Sequence, residues 1–246
     1  MNFIEGETLY IDKPYKLSSF GALSRVRYLI TQKLGVKKIK VGHAGTLDPL
    51  ATGVLILCTG RATKSIDQIQ ALTKEYTATL QLGATTPSFD MEHPVDATYP
   101  TAHITKELIE TTLQQFIGEI SQIPPSYSAC KVDGKRAYQM MRDGEEVELK
   151  AKILKIDEIE LTSFDSSNMT MGIRVVCSKG TYIRALARDI GKALGSGAYL
   201  TELRRTRVGN VTIDKCMTLE KFPAWLDSCE IEMPQNETNK GNSKTK

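Results

Sequence analysis

The stretch HAGTLDPLATGVL, residues 43–55, carries one carboxylate, Asp48, among small residues, two glycines and a proline. Such a carboxylate can act as nucleophile or general base, or it can bind its own backbone in an Asx turn. For a lone aspartate before a proline the turn is the commoner use. Here Gly42, Gly45 and Gly53 also permit positive φ or the close approach of a ligand, and Thr46 and Thr52 can satisfy backbone groups. That is more apparatus than a turn requires, and it marks Asp48 as a candidate catalytic group.

Arg184 lies in SKGTYIRALARD, residues 178–189, in the first turns of a helix that leaves a glycine turn. There it can bind a phosphate, hold a carboxylate bidentately, or be an ordinary surface arginine. Tyr182, two residues earlier, suits either the core or a stacking platform for a base. Tyr76 opens the alternating run KEYTATLQLG, where a tyrosine is usually core. LRRTRVG at 203–209 places three arginines in four positions, which suits a strand or loop that contacts a phosphate backbone. Other chemistries find no pattern. The chain has no GxGxxG, no GxxxxGK[ST] and no GxSxG. Its three histidines are far apart, so no zinc site is expected. Cys58, Cys130, Cys177, Cys216 and Cys229 are scattered without CxxC spacing, which fits reduced thiols in a cytoplasm.

The elements that must position these residues follow from periodicity. LYIDKP at 9–14 reads as a short strand. A helix over 20–34, capped by Ser18 or Ser19, has Leu23, Val26, Ile30 and Leu34 on one face and ends at Gly35. The Asp48 loop spans 42–53, a buried strand follows at 54–58, and a short helix follows near 63–71. Residues 76–83 alternate as a strand, 84–103 are irregular with three prolines, and a helix near 104–117 ends at Gly118. Residues 122–138 read as an extended, basic and aromatic segment with a turn at 133–134 and a short helix after it. Strands near 152–162 and 171–178 precede the helix that carries Arg184. Strands outnumber helices without βαβ regularity, so the expected class is α+β.

At 246 residues with 41% hydrophobic and 25% charged content, the chain can bury a sizeable core. No apolar run is long enough to span a membrane, and MNFIEGETLY is not a signal peptide. The net charge of +3 conceals a division. Residues 14–47 hold seven basic side chains and no acidic one, and 174–207 hold eight basic and two acidic, leaving −10 for the remainder. A charge so segregated points to one positive face and a polyanionic partner.

The motifs VGHAGTLDPLATGVL, GRATK, KEYTATLQLG, IPPSYSACKVDGKRAY, SKGTYIRALARDIG and LRRTRVG occur in the order and spacing of the TruB family, which this chain resembles from about residue 7 to about 220. These are bacterial tRNA pseudouridine synthases acting on uridine 55 of the TΨC loop. The resemblance implies a pseudouridine synthase fold with a central mixed, mainly antiparallel sheet flanked by helices and loops. It implies that Asp48 is the catalytic aspartate, Arg184 the arginine paired with it, and Tyr76 the tyrosine that stacks on the target base. It further implies that Tyr182 and Leu203 line the uridine pocket, that His43 takes the place of the extruded nucleotide, and that Lys64 lies near the pocket. Residues 123–150 would be a mobile thumb over the RNA.

The implied reaction breaks N1–C1′ and forms C5–C1′, with no metal or organic cofactor. It needs an ionised carboxylate in a site largely free of water, and an arginine close by favours the charged form. The resemblance leaves open whether that carboxylate attacks C1′ or C6, or removes a ribose proton. It implies a catalytic domain over 1–230, a polar tail over 231–246 and no C-terminal PUA domain. The expected partner is the tRNA TΨC stem-loop, bound by a monomer in the cytoplasm, with no guide RNA and no membrane. A guide-RNA-dependent catalyst and an RNA-folding chaperone are the alternatives.

Overall fold

The alternation in KEYTATLQL builds the middle of the sheet. The computed structural model describes residues 1–232 apart from 129, 133, 134, 137, 138, 141, 142 and 144–148. Strand β4 (Lys74–Leu82) buries Tyr76, Ala78, Leu80 and Leu82 on one face. It pairs antiparallel with β11 (Thr170–Cys177) on one side and β12 (Ala198–Val208) on the other. Beyond β11 lie β10 (Lys152–Asp165) and β7 (Gly118–Gln122). Beyond β12 lie β3 (Thr52–Thr59), β1 (Thr8–Lys13) and β14 (Met217–Thr218). β2 (Val41–His43) pairs with β3, and β13 (Val211–Thr212) with β12, completing ten strands among the described residues. The pairings are antiparallel except β1 with β14 and β3 with β12. Two short pairs stand apart: β5 (Ala84–Thr85) with β6 (Ala97–Thr98), and β8 (Lys131–Val132) with β9 (Lys135–Arg136). The α+β class and the mixed, mainly antiparallel sheet are as the sequence led us to expect.

Helix α1 (Ser19–Leu34) begins where the Ser18 hydroxyl accepts the Gly21 N–H at 2.9 Å, and it ends at Gly35 with φ 63°. Its Ala22, Leu23, Val26 and Ile30 pack with Ile11, Leu55 and Leu57 and with α5 (Phe222–Ser228). A 3₁₀ turn over Gly60–Ser65 leads into α2 (Ile66–Ala71). α3 (Lys106–Gln114) is capped by Thr105. α4 (Ile183–Ala193) lays Leu186, Ala187 and Ile190 on the same face of the sheet as α3, against Leu80, Val175 and Leu200.

Two expectations shift. The helix near 104–117 stops at Gln114, and Gly118 (φ 95°) opens β7, which pairs with β10. That strand, GEISQ, has one apolar residue and sits at the sheet's edge, so alternation did not reveal it. The turn at 133–134 lies outside the described residues, as does most of the helix expected after it and the tail from 233 onward. Among the described residues no helix is long and apolar enough to cross a membrane.

The parallel contact between β3 and β12 sets Arg205 opposite Gly53. Gly53 has φ 104°, and a Cβ there would lie 2.2 Å from the Arg205 carbonyl oxygen. Only glycine lets β12 come this close. At Gly35 (φ 63°) the same Cβ would meet nothing within 4 Å. Gly53→Ala is therefore expected to cost more than about 2 kcal/mol, strain and clash together, and Gly35→Ala about 1 kcal/mol. Urea denaturation of the two variants beside the wild type checks this ordering.

Candidate active site

The loop between β2 and β3 is held by its backbone. The carbonyls of residues 45 to 49 all have donors. Arg205, buried on β12, donates from Nη2 to Gly45 (3.1 Å), from Nη1 to Thr46 (3.4 Å) and from Nε to Val54 (2.8 Å). The buried Ser19 hydroxyl donates to the Leu47 carbonyl at 3.0 Å and accepts the Leu47 N–H at 2.8 Å. The Asp48 carbonyl accepts from Ala51 N–H at 3.1 Å. Lys13, fully buried on β1, donates from Nζ to Pro49 (3.3 Å), Pro14 (2.9 Å) and Leu17 (2.6 Å). Burial pulls the Lys13 ammonium down to about 8, with the Asp48 charge opposing that shift. Buried cations are tolerated only with partners, and here the partners are loop carbonyls. The result is a loop whose shape is fixed from both sides.

Asp48 projects from this loop toward Arg184. The Arg184 side chain is 4% exposed and that of Asp48 36% exposed, so the cation is enclosed while the carboxylate keeps an open side. Arg184 Nε donates to Asp48 Oδ2 at 2.8 Å. Its Nη1 donates to the Ser88 carbonyl at 3.1 Å and its Nη2 to the Tyr127 carbonyl at 3.0 Å. A second carboxylate, the buried Asp90, has Oδ2 3.7 Å from Arg184 Nε. Asp90 is itself fixed: its Oδ1 accepts from Ser88 Oγ at 2.6 Å and from the Glu92 N–H at 3.0 Å. One guanidinium thus ties together the Asp48 loop, the 86–92 turn and the segment that follows β7.

Between them lies a cavity of about 310 Å³, whose walls include Asp48, Tyr76, Tyr182, Arg184 and Leu203. This is the small end of the range for ligand clefts. Tyr76 is brought here because β4 alternates, so that Lys74 and Tyr76, its first two inward side chains, both reach the cavity. Burial pushes its phenol above the ordinary value, partly offset by the Arg205 charge. Tyr182 caps the start of α4, and its backbone is gripped by the buried Gln122, which accepts its N–H at 2.9 Å and donates to its carbonyl at 3.2 Å. Lys74 also lines the cavity; burial lowers its ammonium to about 8, and it donates to the carbonyls of Gln70 and Leu72.

Five of the seven site residues expected from the sequence therefore meet in one cavity. His43 ends β2 two residues before Gly45, and Lys64 is exposed in the 3₁₀ turn; neither is among the cavity walls. The arginines of LRRTRVG differ in their surroundings. Arg205 is buried on loop carbonyls, Arg204 pairs with Asp12 at 2.7 Å, and Arg207 lies 3.3 Å from Glu75. Asp90, Lys13, Lys74 and Gln122 were not anticipated. Gln122 meets Tyr182, Lys13 meets Pro49 and Asp90 meets Arg184 only through the tertiary fold, and Lys74 bonds nearby backbone carbonyls, so no spacing signals them.

Replacing Arg184 by Met would leave Asp90 buried beside no cation and Asp48 without its donor. The expected cost is roughly 3–5 kcal/mol of stability, with turnover falling at least about 100-fold. Arg184→Lys keeps the charge but cannot reach all three acceptors, and it should fall between the two. Urea denaturation and single-turnover kinetics on the same samples read both effects.

Known proteins resemble this chain along nearly its whole length. Residues 31–183 match the family model described as TruB family pseudouridylate synthase (N terminal domain), and 184–232 match the tRNA pseudouridylate synthase B C-terminal domain. The chain is 68% identical to tRNA pseudouridine synthase B of Phocaeicola vulgatus, over 96% of this chain and 100% of that one. It is 64% identical to the protein of the same name from Bacteroides thetaiotaomicron, over 94% and 98%. Among solved structures, the crystal structure of a Cbf5-Nop10-Gar1 complex contains a chain 29% identical, with a TM-score of 0.66 over 90% of this chain and 54% of that one. With both family models matched in succession and relatives of this identity along nearly its whole length, the chain belongs to the TruB family of pseudouridylate synthases.

Proposed function

We propose that the protein isomerises uridine 55 in the TΨC loop of tRNA to pseudouridine, acting as a single chain in the cytoplasm and without a guide RNA. The observation that carries this reading is a carboxylate clamped to a buried arginine at the wall of a cavity that Tyr76 also lines. The relatives' name supplies the RNA class. Residues 1–230 are read as the catalytic domain and 123–150 as the thumb that closes over the RNA.

The isomerisation breaks N1–C1′, forms C5–C1′, releases the C5 proton and adds one at N1. It needs no oxidant and consumes no water. The target base must first leave its stack, at a cost of a few kcal/mol. Stacking on Tyr76 would return about 1–3 kcal/mol of that. Leu203 and Tyr182 would supply the other walls. A phenol pushed up by burial is protonated at neutral pH, so Tyr76 is read as a platform for the base rather than as a standing phenolate. Asp48, with its open side toward the cavity, is the group that attacks C1′ or C6 or removes a ribose proton. Arg184 fixes it and balances its charge. His43 would fill the gap left by the flipped nucleotide, and Lys64 would meet the RNA at the cavity's rim.

The test is tritium release from a tRNA transcript labelled at uridine C5, with no guide RNA and with EDTA present. Wild type should release one equivalent per tRNA, and Asp48→Asn none, while both bind the transcript alike. Replacing uridine 55 alone should abolish release. Release that persists without uridine 55, or that requires a guide RNA, would overturn the assignment.

A further inference from the structure

Large aromatic side chains stand outside the protein on its most basic segment. Phe20 is 64% exposed, Tyr28 61% and Tyr15 48%. On α1, Phe20 and Tyr28 stand in solvent, away from the buried stripe of Ala22, Val26 and Ile30. Between Pro14 and Leu47 no acidic residue offsets the seven basic ones. Lys16, just before the helix, is exposed and held in the left-handed region at φ 61°, with Nζ 5.5 Å from the centre of the Tyr15 ring. A non-glycine residue kept there is strained, and such strain concentrates where a side chain must be aimed.

The patch is continuous with the catalytic loop. Ser19, next to Phe20, carries both hydrogen bonds to Leu47, the neighbour of Asp48. Tyr15 lines a groove with Leu50 and Leu203, and Leu203 is also a wall of the catalytic cavity. Aromatic rings interleaved with cations are the equipment that binds unpaired nucleotides, by stacking and by phosphate contact.

We propose that Tyr15, Lys16 and the outer face of α1 form a second RNA-contact surface, which binds unpaired loop nucleotides of the tRNA outside the arm that delivers the target uridine. This rests on the reading of the cavity as a tRNA uridine site. A rim that grips a distant loop of the same RNA would let the protein distinguish a folded tRNA from an isolated stem-loop.

The experiment compares the full-length protein with Phe20→Ala/Tyr28→Ala, measuring binding by fluorescence anisotropy to a whole tRNA transcript and to the isolated TΨC stem-loop. Affinity for whole tRNA should fall about tenfold or more. Affinity and turnover on the stem-loop should stay within about twofold of wild type, which also shows that the variant is folded. Lys16→Ala should reduce the slope of log Kd against log salt for whole tRNA by about one. Whole tRNA bound as tightly by the double variant as by wild type would overturn the proposal and leave the face to a protein partner. An equal loss on both RNAs would overturn it too, placing the surface on the delivering arm. Should the wild type bind tRNA with this α1 dependence yet release no tritium, the surface would stand and the isomerase reading would fall.

Discussion

A guanidinium enclosed in protein must find acceptors for its donors, because leaving them bare costs several kcal/mol. Arg184 meets that demand with one carboxylate and two carbonyls taken from three separate loops. The demand runs both ways. The loops are irregular and would not hold one another by packing alone, and the arginine gives them a common point. The cavity exists where it does because β4 and β12 bring Tyr76 and Leu203 beneath that point, while α4 delivers Arg184 from the side.

The same principle operates a second time from below. Lys13 and Arg205 are cations without a buried carboxylate of their own; their hydrogen bonds go to backbone carbonyls, most of them in or beside the Asp48 loop. A site that moves charge needs its dipoles set before the substrate arrives. In this protein that ordering is supplied by the backbone of a loop rich in small residues, so the carboxylate inherits its position from the sheet. Gly53 is part of the same arrangement, since its missing Cβ is what allows the strand bearing Arg205 to lie against the loop.

Much of this was legible in the residues. The spacing of Gly45, Pro49 and Gly53 betrayed a fixed loop around Asp48. The alternation after Lys74 put Tyr76 on the buried face, and the glycine turn before Tyr182 announced the helix that carries Arg184. What could not be read were the charges whose partners are backbone. Lys13 in LYIDKP and Arg205 in LRRTRVG look like any surface cation, because a carbonyl partner leaves no mark on residue type. Asp90 was hidden for a related reason: it lies in an irregular stretch with three prolines, and its partner comes from a helix far along the chain. Part of the second basic segment is turned inward, at Arg184 and Arg205. The first basic segment is the one that keeps its cations and aromatics in solvent.

The claim on which the account turns is that the fixed carboxylate faces a base drawn out of its RNA. The most direct measurement is a crystal structure of the protein with a TΨC stem-loop carrying 5-fluorouridine at the target, whose C5 substituent cannot leave as a proton. The account predicts the target ring against Tyr76, an Asp48 oxygen within about 3–3.5 Å of C1′, C6 or a ribose proton-bearing carbon, and the Asp48–Arg184 contact preserved. A target base still stacked in its loop, or seated in the groove lined by Tyr15 and Leu50 away from Asp48, would contradict it.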